Sequence, residues 1–157
     1  KALSLLPDLL KKRLHITHQV REEDQSHAKE IYEAGKIANV EITSFIEDMA
    51  GELQKAHLVV MRSGASTISE VCASGCPAIM IPYPYATDDH QTYNAMGIQR
   101  LGGGWLISHE NFNDQVLSEL VLSLLEHPKK LLVASQNMRA GYKKNSIKAL
   151  AQNSLFV

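Results

Sequence analysis

Apolar and polar positions change their spacing repeatedly along the chain, and these changes predict strands that alternate with helices. Short apolar or alternating runs predict strands over residues 14–19, 40–45, 58–61, 78–82 and 105–107. Apolar residues that recur every three or four positions predict helices over residues 2–12, 22–34, 46–56, 65–74, 90–101, 113–126 and 129–155. Gly35 is expected to cap the second helix, and Gly141 to interrupt the last. The alternation predicts an α/β fold with a parallel sheet covered on both faces, in which the runs 58–61 and 78–81 are neighbouring buried strands.

Two strand-to-helix turns fall within residues 46–94. The run 58–61 stops at Arg62-Ser63-Gly64, and a helical pattern opens at Ala65 or Ser66. The next strand leads through a polar loop into the helix 90–101. Such turns lie at one edge of a parallel sheet, where α/β proteins bind ligands. Free N–H groups and the positive end of a helix suit a phosphate, so the pattern predicts an anion site here.

Composition narrows the class of protein. The 157 residues are 45% hydrophobic and 21% charged, with a net charge of −1, which is typical of one soluble domain. The charge gives no reason to expect nucleic acid as a partner. Cys72 and Cys76 have no clustered histidines or further cysteines near them in sequence, so we expect reduced core cysteines, no metal and no cofactor.

Glu70 and the residues before it admit two interpretations. A carboxylate one turn into the helix can accept hydrogen bonds from ribose hydroxyls. Alternatively, Thr67 and Glu70 match a capping box in which Thr67 is the N-cap. Gly64 either admits a phosphate close to the backbone or serves only the turn. Ser66 and Thr67 likewise either hold a diphosphate or cap the helix.

A second polar cluster opens the helix 90–101. His90, Gln91 and Asn94 lie within about one helical turn, and their amide and imidazole groups suit sugar hydroxyls. The alternative is a solvated helix start in which Asp88 or Asp89 is the N-cap.

Two further positions stay open on local pattern alone. Arg62 faces either a phosphate or uracil ring, or only solvent at the end of a strand. His18 and Gln19 end the first predicted strand at the same sheet edge, and a structural or solvated role fits them as well.

A combination of motifs resembles a known family. The motifs are Arg62-Ser63-Gly64-Ala65-x-Thr67-x-Ser69-Glu70, Gly75-x-Pro77-Ala78, Asp88-Asp89-His90-Gln91-Thr92-x-Asn94-Ala95, Thr43-x-Phe45-Ile46-x-Asp48-Met49 and His18-Gln19. Together they resemble the C-terminal half of the MurG-type UDP-N-acetylglucosamine transferases of bacterial peptidoglycan synthesis. Those are inverting enzymes of glycosyltransferase family 28 with the GT-B fold.

The resemblance implies a role for each motif. The backbone at Ile46 would read the uracil edge, and Glu70 would bind the ribose hydroxyls. Gln91, with His90 and Asn94 nearby, would face the N-acetylglucosamine hydroxyls. The diphosphate and part of the sugar would lie against the segment that follows Arg62, made of Ala65, Ser66, Thr67, Ile68 and Ser69. Ser66 departs from the family pattern, which has a larger apolar residue there.

The resemblance also carries expectations for the whole protein. It implies a Rossmann-like doubly wound parallel sheet, with residues 1–157 as one donor-binding domain that lacks its first strand. The family's N-terminal domain, which carries the lipid I acceptor site, the membrane-facing patch and the general base, is expected to be absent. The complete enzyme converts lipid I to lipid II on the inner face of the cell membrane, and this half alone is expected to be inactive. The alternatives are a non-catalytic nucleotide-sugar-binding module and the donor subunit of a split glycosyltransferase.

Overall fold

The computed structural model describes residues 1–85 and 89–153, with side chains as far as residue 142. The described elements are α1 (Asp8–Lys11), β1 (Ile16–Gln19), α2 (Gln25–Ala34), β2 (Val40–Thr43), α3 (Met49–Lys55), β3 (Val59–Met61), α4 (Ala65–Ser74), β4 (Ala78–Met80), α5 (His90–Leu101), β5 (Gly104–Leu106), α6 (Asp114–Glu126) and α7 (Pro128–Asn153). Short 3-10 helices cover Ala2–Leu5, Glu22–Asp24 and His109–Asn111. Every described strand pair is parallel, which confirms the predicted α/β class.

The chain forms two compact units. Unit 1 comprises Lys1–Met49 and Asn113–Glu126, and unit 2 comprises Ala50–Phe112 and His127–Val157. Since each unit is built from two separate segments of the chain, neither unit is a simple half of the sequence. The expectation of a single donor-binding domain stays a prediction.

Unit 1 holds a two-stranded parallel sheet in which Ile16 of β1 lies opposite Val40 of β2. The helix predicted over residues 2–12 divides in two, because α1 begins only after Pro7. Proline has no N–H to continue a helical hydrogen-bond ladder, so a new helix starts there. The 3-10 helix Ala2–Leu5 packs on α6, and Leu6 and Leu124 are almost fully buried.

Unit 2 holds a three-stranded parallel sheet in the order β3-β4-β5. The prediction that β3 and β4 are parallel neighbours is confirmed, with Val59 opposite Ala78. All three residues of β4 are buried, as predicted. The prediction that β3 is buried is wrong, because β3 lies at the edge of its sheet and Val60 is 47% exposed.

Each sheet has a free edge within the described part of the chain. There β1 pairs only with β2, and β3 pairs only with β4. The expectation of an absent central strand stays a prediction.

Helices α4, α5 and α7 form the core of unit 2 together with its sheet. One residue from each of these helices is completely buried: Val71, Ala95 and Met138. Gly75 and Gly102 end α4 and α5 with left-handed φ angles of 73° and 74°. This is the backbone state that glycine adopts after a helix, and the predicted end of the helix 65–74 before Gly75 is confirmed.

Two other glycines serve close packing. Gly35 occupies the C-cap of α2, as predicted, with an ordinary φ of −76°, and Lys36 takes the left-handed state. A Cβ at Gly35 would collide with the side chain of Ser4. The interruption predicted at Gly141 is wrong, since α7 runs through it, and a Cβ there would collide with Leu101. The predicted end of this helix at residues 154–155 lies outside the described residues.

Candidate functional site

The turn between β3 and α4 leaves the start of a helix uncapped. Helix α4 begins at Ala65, and Gly64 occupies the N-cap position without any side-chain cap. The N–H of Ile68 donates to the Gly64 carbonyl at 2.9 Å, so the N–H groups of residues 65–67 precede the first intrahelical bond. Because Thr67 lies inside the helix, the capping-box interpretation of Thr67 and Glu70 is wrong.

Glu70 lies one turn into α4 with its side chain in solvent. It forms no hydrogen bond or ion pair with any residue that the structure describes. The carboxylate is therefore available to a ligand. Ser69 differs, because its hydroxyl donates to the Ala65 carbonyl at 3.0 Å within the helix.

Gly64 faces open space. Its φ of −63° and ψ of 151° are values that any residue adopts. Among the residues that the structure describes, a Cβ added there would meet only the Thr67 Oγ1 atom, at 4.0 Å. Neither backbone conformation nor internal packing therefore requires glycine at this turn. The remaining explanation among those drawn from the sequence is the close approach of a ligand to the backbone.

The exposed segment after Gly64 has the accessibility that a ligand needs. Ala65 and Ser66 are exposed, whereas Thr67 and Ile68 are half-buried. The free N–H groups and the positive end of a ten-residue helix thus point to solvent at the carboxyl end of β3. This arrangement can bind an anionic group such as a diphosphate.

Arg62 connects the ends of β3 and β4. One of its terminal nitrogens, Nη1, donates to the carbonyls of Ile81 and Pro82, both at 2.9 Å. The guanidinium carbon lies 5.8 Å from the centre of the Tyr83 ring. Arg62 therefore has a clear structural role at the site, and a contact with phosphate or uracil stays a prediction.

Ser63 was not among the residues expected at the site, and it is completely buried. Its hydroxyl donates to the Gln91 carbonyl at 2.8 Å, and the Asn94 side-chain amide donates to the Ser63 carbonyl at 3.0 Å. The Tyr83 N–H donates to Gln91 Oε1 at 3.0 Å. The structure thus brings Gln91 and Asn94 together with the turn that precedes α4. A small polar residue between a strand and a helix was the only sequence signal for Ser63.

The start of α5 is not capped in the way the sequence suggested. Asp89 occupies the N-cap position with a left-handed φ of 54°, and its side chain caps nothing. The other candidate cap, Asp88, lies outside the described residues. His90 is exposed as the first residue of the helix. Asp89 is therefore at the N-cap as one interpretation of the sequence had it, without a side-chain cap, and the sugar-binding assignment of His90 stays a prediction.

Two of the expected site residues lie in unit 1. Ile46 is half-buried in the loop after β2, where the Thr43 hydroxyl donates to the Phe45 carbonyl at 2.7 Å. His18 of β1 contacts the Tyr32 hydroxyl at 3.1 Å through Nδ1. The assignment of Ile46 to the uracil edge stays a prediction.

Metal and thiol chemistry find little support in the described residues. No three His, Cys, Asp or Glu side chains converge there to hold a metal ion. Cys76 is buried, and burial raises the pKa of its thiol to about 11, which keeps it protonated and unreactive at neutral pH. No helix of the described part of the chain is long and apolar enough to cross a bilayer.

The chain matches a known family along almost its whole length. Residues 1–153 fit the family described as the glycosyltransferase family 28 C-terminal domain, and the chain belongs to that family. The resemblance to the MurG-type transferases is thereby confirmed at the level of the family.

Curated relatives make the similarity more specific. The chain is 42% identical over 139 residues to the UDP-N-acetylglucosamine–N-acetylmuramyl-(pentapeptide) pyrophosphoryl-undecaprenol N-acetylglucosamine transferase of Rhodospirillum rubrum. It is 38% identical over 150 residues to the protein of the same name in Paramagnetospirillum magneticum. These matches cover 88% and 96% of the chain but only 36% and 40% of the relatives. The chain thus spans well under half of their length.

Solved structures agree with the fold. MurG of Acinetobacter baumannii superposes with a TM-score of 0.73 at 32% identity, over 88% of this chain and 41% of that one. The glycosyltransferase VinC, solved with DTDP, superposes with a TM-score of 0.59 at 16% identity, over 94% of this chain and 44% of that one. The likeness to VinC supports the fold alone.

Proposed function

We propose that the chain is the donor-binding part of an inverting N-acetylglucosaminyltransferase that uses UDP-N-acetylglucosamine. The observation that carries the proposal is the uncapped start of α4, with open space at Gly64 and an unengaged carboxylate at Glu70. A chain that is 42% identical to a UDP-N-acetylglucosamine transferase leaves these groups free where a nucleotide diphosphate needs them.

Each ligand group has a proposed partner in the chain. The N–H groups at Ala65, Ser66 and Thr67 bind the diphosphate, and Glu70 accepts hydrogen bonds from the ribose hydroxyls. Gln91, with His90 and Asn94 beside it, recognises the hexose, and the backbone at Ile46 recognises uracil. These assignments come from the family resemblance and are supported by the exposure of the α4 segment.

The chemical contribution of the chain is stabilisation of the leaving group. In an inverting transfer an acceptor hydroxyl attacks the anomeric carbon, and the bond to the diphosphate breaks with its electron pair on UDP. Negative charge therefore develops on the diphosphate, where the positive end of α4 and its N–H groups oppose it. The chain also orients the sugar, and the base that takes the acceptor proton belongs to another part of the enzyme.

The same proposal covers the acceptor substrate and the cellular location of the whole enzyme. The relatives' name describes an N-acetylmuramyl-(pentapeptide) pyrophosphoryl-undecaprenol acceptor, which is lipid I. A lipid acceptor places the whole enzyme at the membrane surface, and the cytosolic donor places it on the inner face. We propose that the acceptor binds outside these 157 residues, and that the two units serve as one donor domain, since the family match spans both.

Calorimetric titration of the 157-residue chain with UDP-N-acetylglucosamine tests the proposal. UDP-glucose and dTDP-glucose serve as controls for the hexose and the base. Binding of UDP-N-acetylglucosamine in preference to both controls is expected. A folded chain that binds none of the three, or all three equally, would overturn the proposed function.

A further inference from the structure

The two turns at the candidate site are joined by a set of polar contacts, here called the brace. The brace consists of Ser63, Gln91 and Asn94, together with the main chain at Tyr83. The Ser63 hydroxyl and carbonyl both face α5, where they meet the Gln91 carbonyl at 2.8 Å and the Asn94 amide at 3.0 Å. These bonds join residues 28 and 31 positions apart in the chain. The brace therefore fixes the start of α5 against the turn that opens α4.

Because Ser63 is buried, it can position other groups at the site but cannot contact a ligand itself. The residue is completely buried, so its hydroxyl is out of reach of any ligand at the surface. Gly64, the N-cap of α4, is the next residue. A shift of Ser63 would therefore also move the adjacent backbone at Gly64, which the diphosphate would contact.

We propose that Ser63 is a positioning residue, which is held by the Asn94 amide and sets the distance between the diphosphate-binding start of α4 and the sugar-binding start of α5. The inference rests on the proposed function. A ligand with both a diphosphate and a hexose must satisfy both helix starts at once, and misplacement by about 1 Å is costly for such two-point binding. UDP needs only the first of them.

The proposal predicts an effect that depends on the ligand. Ser63→Ala removes the hydroxyl and leaves no charge behind, and Asn94→Asp keeps the shape of the side chain but removes the donor. Each change should weaken UDP-N-acetylglucosamine at least about fivefold more than UDP, because only the former bridges the two helix starts. General loss of folded protein would weaken both ligands equally.

A matched control lies at the other end of the same helix. The Ser74 hydroxyl donates to the Val71 carbonyl at 3.0 Å, near the end of α4. Ser74→Ala therefore removes a serine hydrogen bond from α4 at a distance of roughly 14 Å from its start. It should leave the ratio of the two affinities unchanged.

The test measures dissociation constants for UDP and UDP-N-acetylglucosamine in the three variants and the unaltered 157-residue chain. Amide chemical shifts of residues 65–67 provide a second readout, and they should move in Ser63→Ala but not in Ser74→Ala. Unchanged ratios and shifts in Ser63→Ala would overturn the positioning role while leaving the proposed function intact, whatever Asn94→Asp does through its own contact with the hexose. An unaltered chain that binds neither ligand would overturn the proposed function, and the positioning role with it.

Discussion

The Tyr32 hydroxyl of α2 lies 3.1 Å from Nδ1 of His18 on β1, and the two rings meet edge to face with centroids 5.8 Å apart. Burial lowers the pKa of His18 and raises the pKa of Tyr32. The pair links a strand to the helix that follows it in unit 1. This contact favours the structural interpretation of His18 over a role as a solvated residue at the strand end.

The His18–Tyr32 pair should make stability depend on pH. Because the folded pKa of His18 lies below its usual 6.5, the unfolded chain binds more protons between the two values. The free energy of unfolding should therefore rise with pH through this window and fall as pH drops from about 7 through the lowered pKa. His18→Gln should flatten this dependence in urea unfolding at pH 7.5, 6.5 and 5.5.

His27→Gln is the control for that experiment, since His27 is an exposed residue of α2 whose side chain is 70% accessible. It should keep the slope of the unaltered chain. A His18→Gln variant with the same slope as His27→Gln would show that His18 does not couple folding to pH.

Glu70→Ala should weaken UDP binding by about 1.5–3 kcal/mol, as expected for the loss of a charged hydrogen-bond partner. The free energy of unfolding should change by less than about 0.5 kcal/mol, because the carboxylate caps nothing and lies in solvent. Calorimetry and urea unfolding measure the two effects separately. Glu126→Ala, at an exposed helix end in unit 1, should affect neither. Unchanged affinity in folded Glu70→Ala would refute the ribose assignment.

Gly64→Ala should weaken ligand binding without changing the stability of the fold. The backbone there suits alanine and the added Cβ meets nothing closer than 4.0 Å, so the free energy of unfolding should stay within about 0.5 kcal/mol. UDP affinity should fall at least about tenfold, because the new methyl group occupies the space in front of the turn. Parallel thermal melts and titrations check this. Full affinity in the variant would mean that no ligand approaches the backbone at this point.

Gln91 offers a pair of variants that divide its two roles. Its Oε1 accepts the Tyr83 N–H, a contact that Gln91→Glu retains and Gln91→Ala removes. If the amide donor serves the hexose, both variants should bind UDP-N-acetylglucosamine less well, by about 1 kcal/mol or more relative to UDP. Titration with both ligands measures the difference. Losses confined to Gln91→Ala would assign the residue to the Tyr83 loop alone.

Arg62→Lys should distinguish the structural role of the guanidinium from a role of its charge. Lysine keeps the charge but lacks the planar fork that meets the Ile81 and Pro82 carbonyls. We expect the free energy of unfolding to fall by about 1 kcal/mol, while UDP affinity changes less than threefold. Urea unfolding and calorimetry give the two values. A large loss of UDP affinity without loss of stability would instead place the guanidinium on the ligand.

Local pattern was sufficient for most of the fold. The spacing of apolar residues predicted α4, α5 and α6 to within one residue at either end, because each helix buries a single face. The end of α4 before Gly75 also followed from the break in the apolar spacing there. The turn after β3 was predicted as an anion site for the same local reason.

Contacts between distant residues could not be predicted in this way. The glycines at 35 and 141 look like helix punctuation, yet each makes room for a side chain from elsewhere, Ser4 and Leu101. Ser63 gave no strong signal in the sequence, because its importance comes from its contact with α5. Periodicity predicts which face of α5 is apolar, but it does not predict which residues that helix packs against. Periodicity identifies which residues are buried, and it does not identify what buries them.

The exposed edge of β3 determines how this sheet can grow. The Val59 N–H and the Met61 carbonyl bond with the β4 side, at 3.0 and 2.9 Å, so the N–H and carbonyl of Val60 point the other way. A strand that joined this edge would find a single donor and a single acceptor at the centre of β3, beside a half-exposed valine. With only these two main-chain groups, the edge of β3 discriminates little between different strands. A strand paired with this edge would therefore depend mainly on the fit of its apolar side chains around Val60.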